Sequence, residues 1–308
     1  MKSFKPYLFL IFFALITGVT FEVAKQALYY FSAAQTGAFR FVIAVVFMFA
    51  FVFFTDKKLL KVDSGNLKSL ILLGVVGVFG FNSFYFLGMR KASPVNGAII
   101  IALGPAITAF LSYFLLRTKI TLLQYLGTLV SFIGVLLVIS DGRISALKSI
   151  LEGEGIFYIF LAAVCWAFYS VGIKKYLKGV STIQITAYTS LFGMISLVVF
   201  LLFMEGWNPN VFSFPFQAWL AILYMAIFTA FLGYLFWNYG IQEVGPDKAA
   251  VFGNLIPVVA MFTSWFLGES PNLFDILGTF FVILGIFVVN SKAKKIQTGP
   301  DIKTSTVN

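Results

Sequence analysis

The sequence predicts an all-α, polytopic membrane protein whose ten transmembrane helices form two inverted five-helix repeats. Three observations carry that expectation. Of the 308 residues, 60% are hydrophobic and only 11% charged, whereas a soluble domain carries about 25% charged residues. Most of this surface therefore cannot face water. The apolar residues gather in stretches of about 20, the length that crosses a hydrocarbon core about 30 Å thick. The third observation is a duplication. Gly88-Met-Arg-Lys-Ala-Ser-Pro94 recurs as Gly240-Ile-Gln-Glu-Val-Gly-Pro246, Pro105 as Pro257, Leu126-Gly-Thr128 as Leu277-Gly-Thr279, and Gly134 as Gly285. The offset is 152 residues through the prolines and 151 from the Leu-Gly-Thr onward. A unit with an odd number of spans, duplicated in tandem, inserts its second copy upside down.

The first span, 6–27, follows Lys2 and Lys5 and could be mistaken for a signal peptide. It runs past Phe21 without a small-residue cleavage site, and its Ala14 to Lys25 stretch matches Ala163 to Lys174, so it is expected to stay. Spans over 35–54 and 67–88 follow. The latter holds Gly74, Gly77 and Gly80, a spacing that lets helices approach closely. The fourth, 94–116, opens on Pro94, where a missing N–H costs a helix nothing; the fifth is 121–140. The second half repeats the series at 155–175, 183–204, 217–241, 246–268 and 273–290, with Pro246 opening the ninth. The repeats occupy 1–141 and 155–291. A connector over 142–154 joins them, and a polar tail, 292–308, is expected to be disordered.

Orientation follows from lysine and arginine placement. On alternate sides of these spans, 16 such residues share a side with both termini. Five lie opposite, namely Lys25, Arg90, Lys91, Arg143 and Lys148, and Arg40 falls inside a span. Both termini are expected in the cytoplasm of a protein in the cytoplasmic membrane. The net charge of +10 is dispersed in loops beside apolar runs and forms no continuous basic face, so a nucleic-acid partner is not expected. The partners expected are the lipid bilayer and a small-molecule solute; monomer and homodimer both stay open. With one cysteine, Cys165, and no histidine, neither a disulfide framework nor a usual zinc or haem site is expected, and no cofactor is implied.

Inverted repeats are the architecture of secondary transporters, and three groups of residues could serve one. Pro105 and Pro257 each lie 11 residues after a leading proline, about 16 Å along a helix and close to the midplane. A proline there cannot donate to the carbonyl four residues back, which frees those of Ile101 and Gly253 and kinks the helix. They read as paired hinges. Asn82, Tyr85, Trp166, Tyr169, Trp237, Asn238 and Asn254 are amide and aromatic side chains at membrane depth and could line a cavity. Tyr85 pairs with Trp237 at the repeat offset. Glu22, Lys25 and Arg40 form a charged group near the outer face, where a Glu22–Arg40 ion pair would act as a gate. The two halves differ here: Glu22 stands opposite Val171, and Arg117 opposite Glu269.

The layout resembles the drug/metabolite transporter superfamily, in particular its EamA-type permeases with two five-helix repeats. The resemblance runs from about Tyr7 to Ser291 and is carried by Gly18 to Lys25, Phe39-Arg40-Phe41, Ala92-Ser-Pro94 with Pro105, and Gly245-Pro246 with Pro257 and Leu267-Gly-Glu269. Arg117 departs from it, standing where the family often has glutamate, as does Glu22, where the pattern is usually apolar. The resemblance implies a secondary transporter, more often an exporter, of amino acids, their derivatives or organic cations. An antiporter of nucleotide-linked or phosphorylated sugars is the alternative, and would want several cavity cations. An integral-membrane enzyme is a remote third, lacking a histidine or clustered carboxylates. Nothing resembles a nucleotide-binding loop, so coupling would be to an ion gradient, to counter-transport or to the solute's own gradient. Glu22 is the carboxylate lying clearly within a span. If it couples protons, Glu22→Gln abolishes solute flux driven by an imposed pH gradient; unchanged flux removes it from that role.

Overall fold

Helix follows helix along the chain, and no strand occurs among the described residues of the computed structural model, which are 4–89, 91, 100–140, 142, 155–206, 209–266, 268, 270 and 272–291. Arg90, Pro94, Arg143, Lys148, Glu269, the connector apart from Gly142, and the 292–308 tail lie outside them. The segments are α1 (Lys5–Tyr30), α2 (Ala33–Thr55), α3 (Ser64–Gly88), α4 (Ile100–Leu116), α5 (Leu122–Ser140), α6 (Gly155–Tyr176), α7 (Thr182–Met204), α8 (Phe216–Val244), α9 (246–266) and α10 (Leu273–Asn290). Seven of them, α2, α3, α5, α6, α7, α8 and α10, are long and apolar enough to cross a membrane unbroken. An eighth, α1, bends by 42° between Thr20 and Glu22. The Thr20 hydroxyl donates back to the Ile16 carbonyl at 2.8 Å, a bond of the kind that bends helices. Phe54, Phe203, Phe266 and Phe287 are 73–91% exposed, which suits lipid and not water.

Four helices open with the same reciprocal cap, in two repeat-related pairs. Ser32 and Gln35 start α2; Ser181 and Gln184, 149 residues later, start α7. Thr121 and Gln124 start α5; Asn272 and Asp275, 151 residues later, start α10. In each, one side chain accepts from the other's backbone N–H, so two orphan amides of the first turn are satisfied at once. A second matched pair concerns winding. α3 is π-helical over Gly74–Gly80 and α8 over Met225–Gly233, corresponding stretches at the 152 offset.

Packing repeats the same symmetry. α1 lies against α8 and α9, and its counterpart α6 lies against α3 and α4; α2 lies against α7 and α8, α7 also against α3, and α5 against α10. Exchanging the halves maps this set onto itself. A Cβ on Gly88 would clash with Ile159, and one on Gly240 would clash with Leu10, which is one contact built twice. The α5–α10 seam shows the direction. A Cβ on Gly134 would sit 2.6 Å from the Gly278 carbonyl oxygen, and one on Gly285 2.5 Å from that of Gly127. The start of α5 thus meets the end of α10, so the two run antiparallel. Gly127 and Gly278 are repeat mates, as are Gly134 and Gly285, and each touches the other's mate. A twofold axis passing between the helices, perpendicular to them, produces that pattern.

Gly134→Leu is expected to destabilise the protein by about 1–3 kcal/mol through overpacking, seen as a lower thermal-unfolding midpoint in detergent. Gly104→Ala, whose Cβ meets nothing within 4 Å, should leave the midpoint unchanged.

Candidate functional site

A cavity of about 160 Å³ opens between the two halves, bordered by residues of α1, α2, α3, α4, α6, α8 and α9. Its position follows from backbone irregularity. α4 breaks at Leu103, two residues before Pro105, and α9 turns to a 3₁₀ winding over Val251–Asn254, three before Pro257. Pro105 and Pro257 remove the amide donors due to Ile101 and Gly253, and both of those residues border the cavity. Irregular backbone at this depth is tolerated where protein or an aqueous cavity covers it.

The wall is aromatic. Trp166 is the hub, with ring centroids of Phe81 at 5.1 Å, Trp237 and Tyr234 at 5.3 Å, and Phe13 at 6.3 Å. Tyr85 stacks on Phe81 at 5.7 Å. Trp237 is locked by its indole N–H, which donates to Ser170 Oγ at 3.1 Å. Thr20 and Thr229 share a 2.6 Å hydroxyl bond on the same wall.

Among the described residues, one charge reaches this cavity. Arg40, on α2, is 7% exposed, donates from Nη2 to Asn82 Oδ1, and holds its guanidinium 5.2 Å from the Phe41 ring centre and 5.5 Å from that of Phe86. Among the described residues its Nε has no hydrogen-bond partner. Asn82 in turn donates to the Val78 carbonyl at 2.6 Å, inside the π-wound stretch of α3. The extra residue a π turn accommodates resets the helix face that follows, and Asn82 leaves α3 from that reset face. Asn82 also borders a second cavity of about 180 Å³, together with Ser83, Phe86, Leu197 and Glu205. Phe86 borders both cavities, so the Arg40–Asn82 pair and the Phe86 ring form the partition between them.

The structure gathers Tyr85, Trp166, Trp237, Asn254, Arg40 and Pro105 at the central cavity. Tyr169 and Asn238, expected there too, point elsewhere. Tyr169 is fully buried and its hydroxyl bonds that of Thr189 at 3.1 Å. Asn238 is likewise fully buried and donates to Thr186 Oγ1 at 2.9 Å, tying α8 to α7. Both serve helix packing and do not border the central cavity. Asn82 borders the second cavity, and Pro257 stands behind Gly253 and Asn254. Asn254 also ties α9 to α5, donating to Ser131 Oγ at 2.9 Å. The expected Glu22–Arg40 ion pair does not form. Glu22 meets Lys25 at 2.5 Å on the surface, where Lys25 is 68% exposed. Three residues apart on one helix face, the two are neighbours by construction, whereas Arg40 turns inward. Sequence reasoning missed Phe13, Phe81, Tyr234 and the Thr20–Thr229 pair. The offsets relate Thr20 to Tyr169 and Gly77 to Thr229, and in the structure Tyr169 covers Gly77 as Thr20 meets Thr229.

The profile of the EamA-like transporter family matches residues 4–140 and 153–291. The chain is 40% identical over 290 residues to the uncharacterized transporter YyaM of Bacillus subtilis (strain 168), covering 94% of this chain and 95% of the relative. It is 29% identical over 279 residues to an uncharacterized transporter of Archaeoglobus fulgidus, covering 89% and 95%. A crystal structure at 18% identity shares the fold with a TM-score of 0.74, covering 91% of this chain and 95% of that one.

Asn82→Ala leaves the buried guanidinium without its amide partner and is expected to cost about 1–3 kcal/mol. Lys25→Gln breaks an exposed pair and should cost less than about 1 kcal/mol. Thermal unfolding of the two purified variants compares them directly.

Proposed function

Because the chain belongs to the EamA-like transporter family, we propose that this membrane protein is a secondary transporter that exports small metabolites by alternating access. In this reading all ten helical segments cross the cytoplasmic membrane, both termini face the cytoplasm, and the halves are inverted repeats. The observation that carries it is the central cavity. It lies between the halves, and each half contributes a helix interrupted beside it, at Pro105 in α4 and just before Pro257 in α9. Interrupted helices from both repeats meeting at a midplane site are what an alternating-access carrier uses. Rocking of one half against the other opens the cavity to each side in turn, with the two prolines as hinges.

Solute chemistry follows from the wall. Rings and threonine hydroxyls suit a small solute with an apolar or aromatic body, which favours amino acids or their derivatives. An antiporter of sugar nucleotides is less well supported, because Arg40 is the one cation bordering the cavity among the described residues and a polyphosphate calls for several.

The test is flux in proteoliposomes, guided by growth of an overproducing strain on toxic amino-acid analogues and cationic drugs. Wild-type protein should move at least one such compound. Pro105→Ala and Pro257→Ala restore the missing amide donors, and each should slow flux by about tenfold, the effect of about 1.4 kcal/mol on a barrier, without lowering the unfolding midpoint. Absence of flux for every compound defeats the transport reading, and unaltered flux in both variants defeats the hinges.

A further inference from the structure

The two halves differ most where the cavity wall carries charge. Tyr85 is matched by another large ring, Trp237, but Arg40 is matched by Thr189 at the 149 offset, and Asn82 by Tyr234 at 152. Thr189 is neutral and fully satisfied, bonding Tyr169 at 3.1 Å and the Ile185 carbonyl at 2.7 Å. Arg40 is buried, bordered by two rings, and held by a neutral amide. The nearby ion pair is Glu22 with Lys25, and Arg40 has no part in it. A guanidinium carries five N–H donors; one goes to Asn82, and Nε meets no partner among the described residues.

We propose that Arg40 is the anchor for a solute carboxylate, so that the central cavity takes a small monoanionic carboxylic acid with an apolar or aromatic body. This rests on the transporter reading and narrows its solute class. The planar guanidinium fork matches a carboxylate. The rings of Trp166, Tyr85 and Trp237 take the body. A phosphate dianion asks for more positive charge than one guanidinium supplies, and an organic cation meets a like charge in a low dielectric. Of the solutes the family resemblance implies, those bearing a carboxylate fit and those that are simple cations do not.

Tryptophan fluorescence of the purified full-length protein reads binding, since Trp166 and Trp237 line the cavity. The probes are 3-phenylpropionate, its amide, and 3-phenylpropylamine, with chloride and inorganic phosphate as body-free anions. The carboxylate should quench saturably and bind at least tenfold tighter than every other probe. Arg40→Gln should remove that preference. Asn82→Asp supplies a carboxylate where the guanidinium is already held, and should remove it while keeping the fold. The proposal is overturned if the amide or amine binds within twofold of the carboxylate, if none of the probes binds, or if folded Asn82→Asp keeps wild-type affinity for the carboxylate. Flux in the same proteoliposomes separates the two readings. Transport of a solute without a carboxylate, with no carboxylate binding, leaves the transporter standing and removes the anchor. Carboxylate binding with no flux of any compound does the reverse.

Discussion

Lipid tails are as apolar as leucine, so in a bilayer two helices gain little from burying apolar faces on each other. Close approach has to hold the halves together, and in this protein it is concentrated where α5 meets α10. Gly127, Gly134, Gly278 and Gly285 bring backbone against backbone there, at distances no Cβ could occupy. Because these are two repeat-related pairs, the seam is self-complementary, as a twofold interface between subunits is. Neither α5 nor α10 borders the central cavity, and the seam reaches the cavity wall through the hydrogen bond from Asn254 to Ser131.

The same constraint explains the irregular winding. A helix surrounded by hydrocarbon keeps every backbone bond within itself, so a break marks a place where something else covers the backbone. The breaks occur in matched pairs: before Pro105 and Pro257, and as π turns in α3 and α8. In α3 the π turn also receives the Asn82 amide at the Val78 carbonyl, and through Asn82 it reaches Arg40. Backbone irregularity and side-chain placement are thus one arrangement at this point.

The fold was legible because its largest signals are long: apolar stretches of about 20 residues, and Pro and Gly marks that hold register from one half to the other. Pro105 and Tyr85 with Trp237 were legible by the same register, and all three border the cavity. What failed was rotation about a helix axis. Sequence spacing placed Glu22 and Arg40 near one level but could not say which way each pointed, and the neighbour three residues along the helix won Glu22. Tyr169 and Asn238 failed for a related reason: a polar side chain at depth can bond an adjacent helix as well as line a cavity, and hydroxyls on α7 bond the Tyr169 hydroxyl and the Asn238 amide N–H. The capping boxes were legible in principle. Ser32 with Gln35 and Thr121 with Gln124 stand at the spacing such caps require, and only their pairing with Ser181 and Asn272 needed the structure.

Arg40 remains the feature that symmetry does not account for. A charged side chain within a membrane helix is costly, and part of the cost of Arg40, in the second turn of α2, is offset by the Asn82 amide and the faces of Phe41 and Phe86. The other half manages this position without a charge. It has Thr189, fully buried and bonded to Tyr169, and α7 packs against α2 and α3 as the symmetry asks. The matched position in the other half, with Thr189 for Arg40 and Tyr234 for Asn82, closes without a cation. A cost that the architecture does not require belongs to whatever occupies the cavity that the cation borders.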